Sequence, residues 1–375
     1  METTTREQPR LLRTPAPTPT RPVVPAAGPA WFSSVMGTGI LATLLGQQSS
    51  GRPVVLVAAV LLLVVAVLLL VGLTFAFTAR IAADRTALTS TVTDPAAVPL
   101  WGTVSMGLLA VGAAVLTVAP LVHPSALTAA VRVDAVLWTL GTVVGLVTAL
   151  GFTAVLVRSE AGAPTPVWGL PVVPPMVSAT TGAALLPHVT AELGRVALLA
   201  VVVGCFFLSL GIGLVVYAVA YHHHWRISAI PVAASASIWI PLGMVGQSAA
   251  ASMMIATHAG TVVDAAALPA LSDLAEAYAF AMLLLSVPVV AVAVRVTVRG
   301  FRAGMPFSPG WWALTFPIGT LALGAHLLAG STGLGWVEAV ARLCLVTLVG
   351  TWTFCTVATV RTIVRVRRSH GTVAA

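Results

Sequence analysis

The sequence predicts an all-α membrane protein in which ten transmembrane helices form five tandem helical hairpins. The first observation is composition: 58% of the 375 residues are hydrophobic and only 8% are charged, with a mean hydropathy of +1.01. Soluble domains carry roughly a quarter of their residues as charges. The second observation is a succession of apolar segments of bilayer length, and the third is a one-sided distribution of arginine. Together they predict one membrane domain and no separate soluble domain.

Apolar segments of about 20 residues, the length that a helix needs to cross a bilayer, follow one another along the chain. We number the helices that they predict as spans 1 to 10. Their expected extents are approximately residues 30–48, 53–78, 97–120, 133–157, 167–187, 193–220, 229–257, 270–294, 307–329 and 337–364. The membrane domain is expected at residues 30–366, after a disordered, basic, Pro-rich tail at residues 1–29 and before a short tail at residues 367–375.

The arginines test this number of spans independently, because cytoplasmic loops are enriched in positive charge. With a cytoplasmic amino terminus, 15 of the 19 basic residues fall on the cytoplasmic side: Arg6, Arg10, Arg13, Arg21, Arg80, Arg85, Arg158, Arg226, Arg295, Arg299, Arg302, Arg361, Arg365, Arg367 and Arg368. The four exceptions are Arg52, Arg132, Arg195 and Arg342. This division predicts a multi-pass protein of the plasma membrane with both termini cytoplasmic. The net charge of +8 then reflects orientation, and no nucleic-acid partner is expected.

The ten spans also differ in a way that follows their order. Even-numbered spans are long runs of Val, Leu and Ala, with Pro288 in span 8 as an exception, whereas odd-numbered spans contain helix-breaking residues. These are Gly37 and Gly39 in span 1, Pro99 and Gly102 in span 3, Pro171, Pro174 and Pro175 in span 5, Pro241, Gly243 and Gly246 in span 7, and Pro317 and Gly319 in span 9. A five-fold repeat of hairpins would place the broken helices around a central axis and the regular ones outside. The alternative is that Gly and Pro are simply common in membrane helices.

The most informative break lies at residues 311–319, WWALTFPIG. Pro317 has no backbone N–H and so leaves a carbonyl group that lipid cannot satisfy. The break should therefore face protein or a water-filled path, and its residues are candidates for a pore wall.

Three segments carry a family resemblance: FSSVMGTGILATLL at residues 32–45, IPLGMVGQSAA at residues 240–250 and WWALTFPIG at residues 311–319. They are similar to helices of the tellurite-resistance/dicarboxylate transporter family. That family includes bacterial tellurite-resistance membrane proteins, yeast malate permeases, fungal sulfite efflux pumps and plant slow anion channels. The chain departs from the family at residues 243–247, where GMVGQ replaces a GPLGQ-like run and lacks its second proline.

The resemblance implies five tandem hairpins around a narrow central pore, a homotrimer with one pore per subunit, and a phenylalanine on span 9 that closes the pore. Phe316 occupies that position. The implied function is transmembrane transport of small anions of the C4-dicarboxylate, sulfite, halide or nitrate type, with no cofactor and no metal. A proton-coupled carrier for malate or a similar dicarboxylate is the alternative within this class. A membrane-embedded enzyme is disfavoured, because acidic, His or Cys residues do not cluster at one membrane face.

Several residues of the odd spans are predicted to line the pore or to kink its helices: Gly37, Thr38, Gly39, Pro99, Pro174, Pro175, Pro241, Gly243, Gln247, Thr315 and Pro317. No Asp, Glu or Arg lies near the centre of an odd span, so hydroxyl and amide donors such as Ser178 and Thr180 would favour anions instead. The acids Asp134, Glu192 and Glu338 are expected near outer helix ends, paired with Arg132, Arg195 and Arg342.

Histidines form a further pattern, because every odd span after the first carries one toward its outer end. His188, His258 and His326, with His123 on span 3, are interpreted as an outer vestibule whose positive charge rises as the pH falls toward about 6.5. The alternative is that each histidine lies singly at a water-facing helix end. The run His222, His223 and His224 is interpreted as a solvated basic loop rather than a metal site, because adjacent side chains rarely point at one ion.

Overall fold

The computed structural model describes residues 25–158 and 162–371, with side chains described up to residue 368. Most of the predicted amino-terminal tail, including Arg6, Arg10, Arg13 and Arg21, and the end of the carboxy-terminal tail lie outside the described residues. Within the described ranges, ten helical segments are long and apolar enough to cross a membrane. Spans 1 to 10 are Pro29–Gln47, Pro53–Ala83, Val98–Val122, Pro124–Val157, Pro166–His188, Glu192–Arg226, Val232–Thr261, Ala265–Arg302, Pro309–Thr332 and Gly335–Arg368.

The all-α fold with ten spans is confirmed, while several even spans are longer than predicted. Span 4 begins at Pro124 instead of near residue 133, and span 8 continues to Arg302 instead of ending near residue 294. The prediction ended each span at polar and charged residues, but a helix continues past the apolar core of a bilayer when its ends are in water. A short helix at Thr86–Thr93, in the loop after span 2, was not predicted.

Burial alternates along the chain in agreement with the broken and smooth pattern. In the most apolar part of each odd span, 50–94% of the residues are buried, compared with 17–33% in each even span. Even spans therefore expose their Val and Leu side chains, which in a bilayer contact lipid. This contrast favours the hairpin repeat over the view that Gly and Pro are scattered through the chain.

The five odd spans form a closed ring. Span 1 contacts span 3, span 3 contacts span 5, span 5 contacts span 7, span 7 contacts span 9, and span 9 returns to contact span 1. Each even span packs on the outside against the odd span that precedes it. Because the chain turns back after every span, all odd spans begin at the same face of the ring. We call this face the basic face, since it carries the arginines at the ends of the even spans, from Arg80 to Arg368.

Glycine allows neighbouring helices of the ring to approach closely. A Cβ atom on Gly246 of span 7 would lie 2.6 Å from the carbonyl carbon of Thr320 on span 9. A Cβ on Gly39 of span 1 would likewise lie 3.0 Å from backbone atoms of Ala110 on span 3. Since backbone atoms cannot rotate away as a side chain can, the ring closes only where these positions lack a side chain.

Gly246→Ala should therefore destabilise the protein, whereas Gly204→Ala on span 6 should not, because nothing lies within 4 Å of the Cβ built at Gly204. Both changes gain about 1 kcal/mol of helix propensity. The added methyl at residue 246 should lower the free energy of unfolding by about 1–3 kcal/mol relative to that at residue 204. Unfolding of both purified variants in one detergent measures the difference. Equal stability would contradict the close packing of spans 7 and 9.

Candidate functional site

A cavity of about 100 Å³ lies inside the ring, near the basic face, and all five odd spans line it. The lining residues are Ala30, Ser33, Met36, Leu100, Thr103, Met106, Val167, Leu170, Val173, Ser237, Ile240, Gly243, Pro309, Gly310, Ala313, Phe316 and Pro317. We call this space the axis cavity. None of its lining residues, all of which lie in the described part of the chain, carries a charge.

The lining follows a regular three-residue spacing on every odd span. Span 1 contributes residues 30, 33 and 36, span 3 residues 100, 103 and 106, span 5 residues 167, 170 and 173, span 7 residues 237, 240 and 243, and span 9 residues 310, 313 and 316. Three residues make one turn of a 3₁₀ helix. Each odd span does begin with a 3₁₀ segment, at Pro29–Trp31, Val98–Leu100, Pro166–Gly169, Val232–Trp239 and Pro309–Leu314. Except on span 9, only the first of the three positions lies in the 3₁₀ segment, and the others follow it. The corresponding positions of the five spans define three layers, and the layer farthest from the basic face holds Met36, Met106, Val173, Gly243 and Phe316.

Phe316 stands where span 9 changes its helix type. The 3₁₀ segment ends at Leu314, the α-helix Phe316–Thr332 follows, and Thr315 between them has φ −111° and ψ −72°. The Thr315 hydroxyl donates to the carbonyl of Trp312 at 2.7 Å, so the protein itself satisfies a backbone group at the break. The Phe316 side chain is only 3% exposed. It is the one aromatic side chain among the lining residues of the axis cavity.

Span 7 contributes a glycine to the layer that holds Phe316. Gly243 lines the same layer, and a Cβ built on it would lie 3.7 Å from the ring carbon Cγ of Pro317. A larger residue at position 243 would occupy the space next to the aromatic ring.

Hydroxyl groups fasten the beginnings of the odd spans to one another. The Ser33 hydroxyl is shared between the carbonyl oxygens of Ala30 at 2.6 Å and Pro309 at 3.2 Å, which links spans 1 and 9. The Thr103 hydroxyl donates to the carbonyl of Pro29 at 2.6 Å, which links spans 3 and 1. The Ser237 hydroxyl is buried and has no hydrogen-bond partner among the described residues. Its residue lines the axis cavity, so a hydroxyl with unused hydrogen-bonding capacity lies at the cavity wall.

Of the predicted lining residues, Gly243, Phe316 and Pro317 line the axis cavity, and others lie between helices. Gly37 packs against the side chain of Thr315, with which a Cβ at Gly37 would overlap. Thr38 donates its hydroxyl to the carbonyl of Ser34 and accepts a hydrogen bond from the indole of Trp352 on span 10 at 2.9 Å. These residues position spans 1, 9 and 10.

The predicted prolines other than Pro317 also occupy positions between helices. Pro99 is buried in the 3₁₀ segment that begins span 3. Pro174 and Pro175 are buried in the first turn of the α-helix of span 5, and a Cβ at Gly145 of span 4 would lie 2.9 Å from Pro174. Pro241 lines a second cavity, outside the ring. Gly39, as described above, lies against span 3.

Gln247 forms a polar pair one helical turn beyond Gly243. Its side-chain amide nitrogen donates to the Thr180 hydroxyl at 2.7 Å, which joins spans 7 and 5. Its amide oxygen is buried without a partner among the described residues. Ser178, in contrast, faces span 4, where its hydroxyl accepts from that of Thr142 at 2.9 Å. A buried amide with unused hydrogen-bonding capacity is costly unless something else satisfies it.

The histidines at the ends of the odd spans lie at the face opposite the basic face, but they are not equivalent. The segment Leu186–His188 contacts the segment Ala259–Thr261, which directly follows His258. His326 Nδ1 lies 3.3 Å from a carboxylate oxygen of Glu338, whose other oxygen accepts from Arg342 Nε at 2.9 Å. The predicted pair of Glu338 and Arg342 is thus confirmed. The carboxylate also offsets positive charge that His326 would add to a vestibule.

The predicted pair of Asp134 and Arg132 is wrong. Asp134 is 1% exposed, and neither of its carboxylate oxygens has a hydrogen-bond partner among the described residues. It faces span 3, where a Cβ on Gly112 would overlap one of these oxygens. Residues two apart on a helix do not share a face, so the Arg132 side chain is exposed while that of Asp134 is buried. Arg195, expected to pair with Glu192, has its Nε buried without a partner within the described ranges.

One repeat in the sequence marks the cavity and was not used in the prediction. A proline followed two residues later by tryptophan begins four of the odd spans: Pro29 and Trp31, Pro99 and Trp101, Pro166 and Trp168, and Pro309 and Trp311. In the first and last of these, the indole N–H donates to the carbonyl of an earlier proline at 3.0 Å. The middle residue of each motif lines the axis cavity.

Ten apolar spans around an axis cavity define a membrane protein of the channel and transporter class. The family model described as a voltage-dependent anion channel, SLAC1, matches residues 26–360, so the chain belongs to this family of anion channels and transporters. An uncharacterized transporter of Methanocaldococcus jannaschii is 24% identical over 307 residues, which cover 80% of this chain and 83% of that protein. The resemblance drawn from the motifs of spans 1, 7 and 9 is thereby confirmed.

Proposed function

We propose that the protein conducts small anions along the axis of the ring and that the Phe316 side chain is the gate. The observation that carries the proposal is the position of this ring, which lies in the farthest layer of a cavity lined by all five odd spans. A bulky apolar side chain at a narrow point blocks both ions and water. Phe316 is the first residue of the α-helix that follows the 3₁₀ segment, directly before Pro317, and its side chain lines the axis cavity.

The lining favours anions without fixed charge. The α-helices of the five odd spans begin at Phe32, Trp101, Val173, Ile240 and Phe316, all beside the axis cavity. A helix amino terminus carries a partial positive charge and free N–H groups. Beyond Phe316, the amide of Gln247 and the hydroxyl of Thr180 would offer hydrogen bonds to a partly dehydrated anion. This supports small anions such as halides, nitrate, sulfite or C4-dicarboxylates as substrates.

A proton-coupled dicarboxylate carrier is the second candidate, and Asp134 is the observation in its favour. An ionisable side chain buried within a membrane span is the usual mark of a proton relay. Asp134 is buried without a partner within the described ranges, but it lies on span 4, outside the ring, and does not line the axis cavity. The gated pore is therefore the better account. Neither mechanism requires a cofactor, and family membership favours transport over catalysis.

The placement and assembly that we propose follow from charge and from the family resemblance. The basic face would be cytoplasmic, with both termini on that side of the plasma membrane, because it carries most of the arginines. Residues 30–366 would form the transport domain between the tails at residues 1–29 and 367–375. Three copies would form a homotrimer with one pore in each subunit. The partners of this assembly would be the lipid bilayer and the transported anions.

Phe316→Ala should open the path. If the aromatic ring supplies about 1.4 kcal/mol or more of the barrier, its removal raises anion flux at least about tenfold. Selectivity over cations should remain, since the other spans are unchanged. Flux into liposomes reconstituted with purified protein measures this.

The matched control is Phe152→Ala on span 4, a fully buried ring that packs against Trp168 and does not line the axis cavity. This change should lower the free energy of unfolding by about 3–5 kcal/mol and add no flux. Well-folded Phe316→Ala protein with wild-type flux would defeat the gate assignment and leave the carrier ahead.

A pH dependence should follow if His188, His258 and His326 form an outer vestibule. Protonation would raise the local anion concentration, so uptake should increase as the external pH falls from about 7.5 to 5.5. Changing all three residues to Gln should flatten this profile, whereas His223→Gln at the basic face should not. If the triple variant kept the wild-type pH profile, the histidines would not form a vestibule, and each would be a separate residue at a water-facing helix end.

A further inference from the structure

A groove of about 660 Å³ runs along the outside of the ring between spans 6 and 8, with span 7 as its floor. Its lining residues are Leu210, Gly213, Leu214, Tyr217, Ala218, Tyr221, His222, Trp225, Arg226, Pro241, Met244, Val245, Ser248, Met282, Leu285, Pro288, Val289 and Val292. Most of this lining is apolar, and Leu214 and Leu285 remain exposed. In a bilayer the groove opens toward lipid.

A second, basic pocket of about 450 Å³ continues the groove at the basic face. Trp225 and Val292 line both spaces. The pocket is also lined by His224, Arg295 and Arg299, and by no acidic residue. We call the two spaces together the outer groove. Along span 6 the lining changes from apolar at Leu210 and Leu214, through the tyrosines, to Trp225 and the charged Arg226. This order matches an amphipathic molecule with an apolar tail and a charged head group.

The arginines of the pocket are positioned to bind an anion. Arg295 and Arg299 are one helical turn apart on span 8, line the same pocket, and have no ion pair within the part of the chain that the structure describes. Two like charges at this spacing destabilise a helix unless a negative group lies between them. The Tyr221 hydroxyl, on the lining between the apolar and basic parts, is buried without a partner in the same described ranges. It offers a donor to an ester or phosphate oxygen.

We propose that the outer groove binds an anionic phospholipid. Its phosphate would lie at Arg295 and Arg299 and one acyl chain would lie against span 7, beside Met244 and Val245. Basic pockets between transmembrane helices at the cytoplasmic face are suited to anionic headgroups. A second copy of this chain is a poorer fit, because the described acids of its basic face are Asp84 and Asp94, against eleven described arginines from Arg80 to Arg368.

The site is close to the proposed gate. Met244 and Val245 line the outer groove, while Gly243, next to them on the same turn of span 7, lines the axis cavity beside Pro317. The Met244 methyl fills the notch at Gly213 of span 6, where a Cβ would lie 2.7 Å from it. A lipid in the outer groove would therefore contact the turn that forms one wall of the axis cavity. Lipid binding itself does not depend on the transport activity proposed above.

The test uses the full-length chain, purified and delipidated, and native mass spectrometry with palmitoyl-oleoyl phosphatidylglycerol or the matching phosphatidylcholine. Phosphatidylglycerol should bind at least tenfold more tightly. The double variant Arg295→Gln, Arg299→Gln should lose that preference. The control is Arg361→Gln, Arg365→Gln on span 10, which removes two arginines with the same spacing at the same face but outside both lining sets. It should bind like wild type.

A second variant tests the apolar half. Ala218 is exposed and lines the groove, so Ala218→Trp should fill the space with little effect on folding and should weaken phosphatidylglycerol binding at least tenfold. Inorganic phosphate at millimolar concentration should not displace the lipid. The proposal would be overturned if the two lipids bound equally, or if the control variant lost as much binding as the double variant. It would also be overturned if phosphate displaced the lipid, or if Ala218→Trp changed the oligomeric state and left lipid binding unchanged.

Discussion

The architecture depends on one constraint: within a bilayer, every backbone polar group must find its partner inside the protein. The odd spans contain prolines and 3₁₀ segments, which leave carbonyl groups without their usual helical donors. Such helices cannot face lipid, and here they form the interior of the ring. Apart from Pro288 in span 8, the even spans have the sequence of regular helices that satisfy their own backbone, so they can be exposed and consist mostly of Val, Leu and Ala.

The hydroxyl groups near the basic face are a direct consequence of this constraint. Ser33 and Thr103 donate to the carbonyls of Pro309 and Pro29, which begin 3₁₀ segments of spans 9 and 1. These bonds fix the beginnings of three odd spans against one another. Because these two hydroxyls are already bonded to backbone carbonyls, the axis cavity is largely apolar although Ser and Thr line it. Phe316 is the aromatic member of this lining, and the Ser237 hydroxyl is the lining hydroxyl that has no partner among the described residues.

The sequence was sufficient for the spans and for the division into inner and outer helices, because hydropathy, arginine placement and helix breakers each report on the bilayer. It also predicted Phe316 as a pore residue, through the motif around Pro317, and this side chain does line the axis cavity. It did not identify Met36, Met106 or Ser237, because an inner helix is buried on every side and its pattern does not reveal which face meets the axis. The predicted pairing of Asp134 with Arg132 was wrong for a related reason, because closeness in sequence was taken for closeness in space. The repeated motif of proline and tryptophan was a usable signal, since it aligns four of the five odd spans.

The central claim is that the path runs through the axis of the ring and past residue 316. A cysteine at Ala313, one turn nearer the basic face on the cavity wall, tests it most directly in cysteine-free Phe316→Ala protein. Modification with a bulky methanethiosulfonate reagent should reduce anion flux nearly to the wild-type level, because the added group occupies the axis cavity. The same modification of a cysteine at Ala83, exposed at the end of span 2, should leave flux unchanged. Complete modification at residue 313 with undiminished flux would show that anions take another route.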